Sequence, residues 1–202
     1  MMFSQQNQDG DDAVRDFRNT APGILIAMPQ LTDPNFEKTV VLMLEHNDKG
    51  ALGLVMNRPT QIRVEEIMQA LEMEWQGDPN RMVFRGGPVM NELGWAIHQP
   101  FPFPSLEGGV ELVPGIHLST APERLRLLGL RPPERMVFLL GAAGWGEGQL
   151  DWEIGEGVWM LGQATPELLF DTPHENMWEQ AFREQGIDPN LLSIHPEYRS
   201  SD

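Results

Sequence analysis

The chain has 202 residues, 41% of them hydrophobic, and it contains no cysteine. This length and apolar content suffice for one compact domain, and the missing thiols exclude disulfides, thiolate zinc sites, iron–sulfur ligation and cysteine nucleophiles. The formal net charge is −16, from 30 acidic and 14 basic residues, so the field of the whole molecule repels duplex nucleic acid, which we do not expect as a partner.

The two ends of the sequence differ in character from its middle. Residues 1–20 are polar and lack the basic start and apolar run of an export signal, so we expect a flexible tail there. Residues 21–187 are expected to form the domain, and residues 188–202 a C-terminal tail. The longest apolar stretch, 136–145, is much shorter than the roughly 20 residues that cross a bilayer. These features predict a cytoplasmic protein with no membrane contact.

The first half of the domain predicts mainly strands. Residues 23–28 form an apolar run typical of a strand, and Asp33 favours a helical turn in the loop that follows. Apolar runs at 40–45 and 51–57 flank HNDKG, a combination that predicts a hairpin. A helix follows, with Thr60 as its candidate cap. Its apolar stripe consists of Val64, Ile67, Met68 and Leu71. Further strands are expected in RMVFRGGPV, LGWAIHQP and ELVPGIHLS.

The second half adds helices between strands. Thr120 with Glu123, and Thr172 with Glu175, fit the capping-box pattern of a helix start. RMVFLLG and GVWMLG predict strands, with a short helix at 149–156 between them. The last helix carries Trp178, Ala181, Phe182 and Gln185 on one side. Because strand-rich stretches alternate with helices, the sequence predicts an α+β fold with a mixed or antiparallel sheet.

Four stretches carry a family resemblance. EHNDKGALGLVMNRPT, RGGPV, GIHLST and LGAAGWGEGQLDWEI occur in this order within residues 22–170, and in them the chain resembles the AlgH/YqgE family of bacterial proteins. The resemblance implies a single domain with a bent sheet that approaches a partial barrel and with packed helices. The family has no established activity, although its members are often labelled transcriptional regulators. No catalytic residue can be transferred from it.

The stretch GAAGWGEGQLDWEIGEG, residues 141–157, is rich in glycine but contains no lysine or arginine. A phosphate loop uses backbone amides at a helix start together with a lysine and a hydroxyl, and Asp151 and Glu153 would oppose an anion here. We therefore interpret the glycines as packing positions, with a neutral or peptide ligand as the alternative. The candidate binding residues in this stretch are Gly144, Trp145, Gly146 and Gln149. The tryptophans 145, 152 and 159 are expected to fill gaps around the sheet.

Two polar pairs belong to the predicted hairpin. His46 is expected at its tip with Asn47, in a segment with ordinary turn chemistry. Asn57 and Arg58 lie at its base, roughly 20 Å away, so the two pairs form separate clusters. We expect Asn57 to hold loop backbone. Arg58 is expected to form an internal ion pair or, alternatively, to bind the carboxylate of a ligand.

Catalytic and metal templates fit the sequence poorly. His117 and Ser119 share one strand face, but a structural histidine is the ordinary explanation of that spacing. His117 stays a candidate binding residue for a ligand or partner, as do His46, Asn57 and Arg58. The five histidines are scattered, so we expect neither a metal nor a cofactor. Four arginines within PERLRLLGLRPPER are interpreted as a solvated face of mixed charge.

Three functions remain open after these exclusions. The first is a non-enzymatic binding or regulatory protein that contacts an unidentified protein or small molecule near the glycine-rich stretch and Arg58. The second is an enzyme that acts on a neutral or cationic substrate, and the third is a transcriptional regulator that binds DNA. An exposed apolar patch beside Trp145 would favour the first, and a deep pocket with a perturbed titratable group would favour the second.

Overall fold

The computed structural model describes residues 20–101 and 109–192. The expectations for residues 1–19 and 193–202 lie outside this part. The strands are β1 Ile24–Ala27, β2 Val40–Asn47, β3 Gly50–Val55, β4 Pro59–Arg63, β5 Met82–Arg85, β6 Val89–His98, β7 Gly109–Val113, β8 Ile116–Ser119, β9 Met136–Trp145 and β10 Trp159–Gly162. The helices are α1 Val64–Ala70, α2 Pro122–Leu130, α3 Gln149–Gly155, α4 Met177–Glu184 and α5 Pro189–Leu192, with a π-helical turn at Glu167–Asp171.

The strands form one curled sheet in the order β10-β1-β2-β3-β9-β6-β8-β7, with β5 beside β9 and β4 beside β5. The sheet bends into a half-barrel, as expected for a single-domain α+β fold. Strand β5 runs parallel to β9, and the other pairings among the described strands are antiparallel. Strand β9 is the centre of the sheet because it pairs with β3, β5 and β6.

The unbroken apolar runs of β1 and β2 are explained by burial on both faces of the sheet. Ile24 and Ile26 point into one hydrophobic cluster, and Leu25 and Ala27 point into a second. Helix α4 covers the first cluster with Trp178, Ala181 and Phe182, as the sequence pattern predicts. Helix α3 covers the second cluster, and helices α1 and α2 cover a third beside β6 and β9.

Two predicted strand boundaries are wrong. Strand β2 continues through His46, which pairs with Ala51, so the tip of the hairpin is the two-residue turn 48–49 and does not include the histidine. ELVPGIHLS was expected as one strand, but it contains two, β7 and β8, that pair with each other. The turn between them is made possible by Pro114 and by Gly115, whose φ is +85°.

The three predicted threonine caps are also wrong. Thr60 lies in β4 and donates to the carbonyl of Val83, and α1 begins after Arg63. Helix α2 begins after Ala121 without a side-chain cap, so Thr120 lies one residue too early. Thr172 donates to the carbonyl of Glu167 and closes the π-helical turn. Hydroxyls that bind nearby carbonyls compete with capping, and the sequence does not reveal which bond forms.

The described helices are short. No helix within residues 20–101 and 109–192 is long and apolar enough to cross a membrane.

Candidate ligand-binding sites

The glycine-rich stretch is not mainly a loop. Strand β9 runs through Trp145, and only residues 146–148 separate it from helix α3. Gly141 has a φ of +78°, and a Cβ there would lie 2.7 Å from the carbonyl oxygen of Gly87. The amide of Gly146 donates to Oε1 of Gln149 at 3.1 Å, and α3 has seven residues. Gly141 therefore allows β9 to pack closely against its neighbours, as the packing interpretation expects.

Trp145 is buried in a cluster centred on Glu153. The Glu153 carboxylate accepts the indole N–H of Trp145 at 2.9 Å and that of Trp159 at 2.7 Å, both on Oε2. Gln149 donates to its other oxygen at 2.9 Å. Phe36 packs against both indoles, with ring centroids 6.1 and 5.7 Å away. We call this the indole–carboxylate cluster; both of its indole N–H groups are hydrogen-bonded internally and are not donors to a ligand.

The second tryptophan of this stretch differs from the first. Trp152 is 64% exposed, so it does not fill a gap around the sheet as expected. It lies on α3, whose buried positions are Leu150 and Ile154. The short helix turns one face to the core, and position 152 falls on the other.

An open groove lies beside Gly144. It has a volume of about 450 Å³ and is lined by residues of β2, β3, β6 and β9, among them Leu52, Val89, Met90 and Gly144. Its rim comes from a bulge in β6, where residues 90–93 have no partner between the pairs Val89–Ala142 and Gly94–Leu140. Val89 is 41% exposed and Met90, with a φ of +52°, is 53% exposed. Leu93 on the same bulge is 42% exposed.

His46 lies away from this groove. It is 7% exposed, its Nδ1 lies 3.1 Å from the Thr20 hydroxyl, and its Nε2 lies 3.6 Å from Asp151 Oδ1. Asp151 Oδ1 is itself buried and forms no hydrogen bond with the described residues. The histidine therefore joins the segment before β1 to helix α3, which the turn interpretation does not anticipate.

Asn57 and Arg58 both hold the loop between β1 and β2. The Asn57 amide accepts from the Val40 N–H at 3.1 Å and donates to the Lys38 carbonyl at 2.9 Å, the backbone role expected of it. Arg58 donates through Nη2 to the backbone carbonyl of Glu37. The internal ion pair expected for Arg58 is not formed with any residue that the structure describes.

A second arginine lies beside Arg58. The N–H of Arg85 donates to the carbonyl of Arg58 at 2.7 Å, because β4 and β5 pair there. Both side chains line a cleft of about 200 Å³, together with Asn35, Thr60 and Gly87. We call it the arginine cleft. No acidic side chain is among the described residues that line it.

His117 belongs to a buried polar cluster that sequence reasoning found only in part. His117 stacks on His98, with ring centroids 5.9 Å apart, and its Nε2 lies 3.7 Å from Glu111 Oε1. Ser119 does not bond to His117 as the shared strand face suggests. Its hydroxyl lies 2.9 Å from Nε2 of His98, and it also accepts from Nε of Arg124 at 3.0 Å.

His98 is neutral in this cluster. It is fully buried, and its Nδ1 lies 2.7 Å from the carbonyl oxygen of Gln99, so Nδ1 carries the proton. Burial lowers the pKa of His98 to about 4; the Gln99 hydrogen bond opposes this shift, and the charges of His117 and Arg124 add to it. Arg124 is 8% exposed, so it is not part of the solvated face predicted for its segment. The closed environment of Ser119 and His98 is structural in character.

Four residues of these sites escaped sequence reasoning: Arg85, His98, Arg124 and Glu153. Each acts through a partner on another element, and pairing between elements is not visible in one sequence. The described residues contain no group of three or more histidines and carboxylates placed to hold a metal ion.

Comparison with known proteins agrees with this fold. The AlgH-like family model matches residues 24–190. This chain belongs to the AlgH-like family. A UPF0301 protein of Anaeromyxobacter sp. (strain K) is 42% identical over 176 residues, covering 84% of this chain and 89% of that protein. A UPF0301 protein of Magnetococcus marinus is 40% identical over 179 residues, covering 87% and 94%.

Two solved structures share the AlgH-like architecture. The solution structure of the AlgH protein from Pseudomonas aeruginosa is similar with a TM-score of 0.70 and 30% identity, covering 96% of this chain and 98% of that one. A crystal structure of a protein from Corynebacterium diphtheriae has a TM-score of 0.67 at 21% identity, which supports the fold alone. The family is uncharacterised, and the comparisons indicate no catalytic role.

Proposed function

We propose that this AlgH-like protein is a non-catalytic binding or regulatory protein of the cytoplasm whose partner, a protein, docks in the groove beside Gly144. One observation carries this proposal. Three large apolar side chains, Met90 and Leu93 of the β6 bulge and Val89 beside it, are exposed at or next to a groove of about 450 Å³. Exposed apolar side chains concentrated at one place are typical of interaction surfaces.

The shape and chemistry of the groove suit a protein segment. Leu52 and Val89 provide apolar contact, while Asn47 and Lys49 provide hydrogen-bond donors at the end of the hairpin. Gly144 is exposed and has no side chain, so a partner can approach the backbone of β9 closely. An apolar centre with a polar rim is the usual composition of a protein interface.

The groove proposal is tested by affinity capture from lysate with substitutions that block the groove. A Cβ on Gly144 would have its nearest neighbour, Cγ2 of Val89, at 3.5 Å, so Gly144→Arg fills the groove without a backbone clash. Met90→Asp places a charge on its rim. We expect both variants to lose captured proteins that the wild type retains.

Val110→Asp is the matched control, because Val110 is 57% exposed on β7 and does not line the groove. It should capture the same proteins as the wild type. If the captured proteins still bind both groove variants, or if the control variant loses them equally, the groove is not the docking surface.

The transcriptional label of the family is accommodated by regulation through a protein contact. Direct DNA binding is the competing form, and it conflicts with the net charge of −16. Titration of duplex DNA at low salt separates the two, since counterion release makes such binding strongest there. We expect no complex; a complex that weakens as salt rises would favour the DNA-binding form.

A further inference from the structure

We propose that the arginine cleft is a second site, which binds the carboxylate of a small organic acid. The cleft is lined by Arg58 and Arg85 and has a volume of about 200 Å³. It shares no lining residue with the groove beside Gly144. The proposal therefore stands or falls independently of the protein partner.

The two arginines are held side by side by backbone contacts. The hydrogen bond from Arg85 N to the Arg58 carbonyl, 2.7 Å long, fixes the separation of the two residues. The Nη2 donor of Arg58 binds the Glu37 carbonyl, which orients the guanidinium and leaves its other N–H groups available. A guanidinium held in this way, with a second arginine on the paired strand, is a partly preorganised receptor for an anion.

Neither arginine has a carboxylate partner among the described residues. The Arg85 side chain forms no hydrogen bond or ion pair there, and Arg58 reaches only a backbone carbonyl. Three other arginines, Arg63, Arg135 and Arg183, each bind a carboxylate. In a chain with 30 acidic residues, two arginines that line one cleft without a carboxylate partner are a site for an external carboxylate.

The acidic groups nearest in sequence are engaged elsewhere or do not line the cleft. The Asp33 carboxylate accepts the Asn35 amide N–H at 2.8 Å and its side-chain N–H at 3.1 Å, so it closes the turn that holds Asn35. Glu37 contributes its backbone carbonyl to Arg58. The polar groups that face the cleft from the other side belong to Thr60, whose hydroxyl already donates to Val83 and accepts from Ile62.

The donor set favours a carboxylate over a phosphate. Phosphate loops use free backbone amides, but of the residues that line the cleft, Arg85 has its N–H bonded to the Arg58 carbonyl at 2.7 Å and Asn35 has its N–H bonded to the Asp33 carboxylate at 2.8 Å. Guanidinium groups instead offer paired N–H donors that match the two oxygens of a planar carboxylate. The volume is also below the roughly 300–1,000 Å³ of drug-sized ligand pockets, so the acid is small.

The acidic surface is compatible with this site. At physiological salt, charges more than about 8 Å away are largely screened, whereas the two guanidinium groups contact the ligand directly. A polyanion covers many acidic positions at once and is repelled, but a small acid meets only the local charge. The same protein therefore rejects nucleic acid and accepts a carboxylate at this cleft.

The test is a titration of the protein with succinate. Binding is measured by isothermal titration calorimetry and by the arginine Nε–Hε signals in NMR spectra. Succinamide is the neutral control of similar shape. We expect succinate to bind and to shift two arginine Nε–Hε signals of the wild type, and succinamide to do neither. Arg58→Gln and Arg85→Gln should each weaken the affinity for succinate at least tenfold. Arg183→Gln should leave that affinity unchanged.

Further variants separate charge from geometry and confirm that each protein is folded. Arg58→Lys keeps the charge but loses the paired N–H donors, so we expect its affinity for succinate to be several-fold weaker than that of the wild type. The Tm of every variant should stay near that of the wild type, and Gly144→Arg should bind succinate normally. Absence of succinate binding, equal loss in Arg183→Gln, or binding of inorganic phosphate in preference to succinate would each overturn the proposal.

Discussion

The indole–carboxylate cluster and the arginine cleft differ in whether their charged groups have hydrogen-bond partners within the fold. In the cluster, the Glu153 carboxylate accepts N–H donors from Trp145, Trp159 and Gln149, so both of its oxygens are engaged within the fold. In the cleft, Arg85 forms no side-chain bond within the described part of the chain. The Glu153 carboxylate of the conspicuous motif is therefore used inside the fold, whereas the inconspicuous Arg85 keeps N–H donors that no described residue accepts.

The difference shows that glycine content is a poor guide to binding. Gly141 of β9 allows close approach to the Gly87 backbone, which is a packing requirement, whereas a Cβ at Gly144 would have its nearest neighbour at 3.5 Å. Binding capacity is better recognised from donors that the fold orients but does not satisfy. Substitutions in the two regions are therefore expected to differ in their effect on the stability of the fold.

The largest effect is expected from Glu153→Ala. This change leaves the indole N–H groups of Trp145 and Trp159 without acceptors, and both rings are less than 10% exposed, at 6% and 4%. Each unsatisfied buried donor costs about 1–3 kcal/mol, so we expect a loss of about 3 kcal/mol in the free energy of unfolding. Urea denaturation measures it, with the exposed Glu156→Ala as control. Equal stabilities of the two variants would show that the cluster is not closed.

The next effect separates two glycines of the same strand. Gly141→Ala should cost about 2–3 kcal/mol, since its φ is +78° and its Cβ would lie 2.7 Å from the Gly87 carbonyl oxygen. Gly144→Ala should change the unfolding free energy by no more than about 0.5 kcal/mol, because its nearest neighbour would be at 3.5 Å. Thermal or urea unfolding of both variants decides this. Similar losses at the two positions would refute the packing explanation.

A third effect, of about 2 kcal/mol, concerns the buried His98. Its pKa of about 4 in the folded state lies below the usual 6.5, so the unfolded chain binds a proton that the folded chain excludes. The stabilisation that results is fully present above pH 6.5 and is lost as the pH falls toward 4. The loss of unfolding free energy between pH 6.5 and pH 5 is about 2 kcal/mol. Urea unfolding at the two pH values should show a smaller decline for His98→Gln than for the wild type. Identical declines would place His98 in contact with solvent.

The smallest effect is expected in the open region. Arg85→Gln should alter the unfolding free energy by less than about 0.5 kcal/mol, because Arg85 has no side-chain bond to lose in the described structure. Arg81→Gln is the contrast, since its guanidinium donates to the carbonyls of Met136 at 2.8 Å and Glu134 at 3.2 Å. We expect a loss of about 1–3 kcal/mol there. A costly Arg85→Gln would show that the arginine supports the fold.

Much of the fold could be predicted from local patterns. Burial determines the apolar runs of β1, β2 and β9 and the spacing of the apolar side chains in α4. These patterns therefore predicted the strands and the helix correctly. The threonine caps failed because a hydroxyl has several possible acceptors within reach. For Thr60, the carbonyl of Val83 lies on another strand, so no reading of the local segment reveals it.

The sites were less predictable because they depend on contacts between distant elements. Arg58 could be singled out as a cation in an acidic chain, but its neighbour Arg85 is 27 positions further on and becomes adjacent only through β4 and β5. His98 and Ser119 meet across β6 and β8 in the same way. Residue type indicates which groups are chemically capable, and the pairing of strands decides which of them meet.

The pairing of β1 with β10 has a consequence for synthesis on the ribosome. Residues 24–27 are made early, yet their outer edge is covered only by residues 159–162. At roughly 5–20 residues per second, the nascent chain carries this apolar edge uncovered for about ten seconds. Chaperones that hold emerging polypeptides would therefore meet the first strand long before its last neighbour exists.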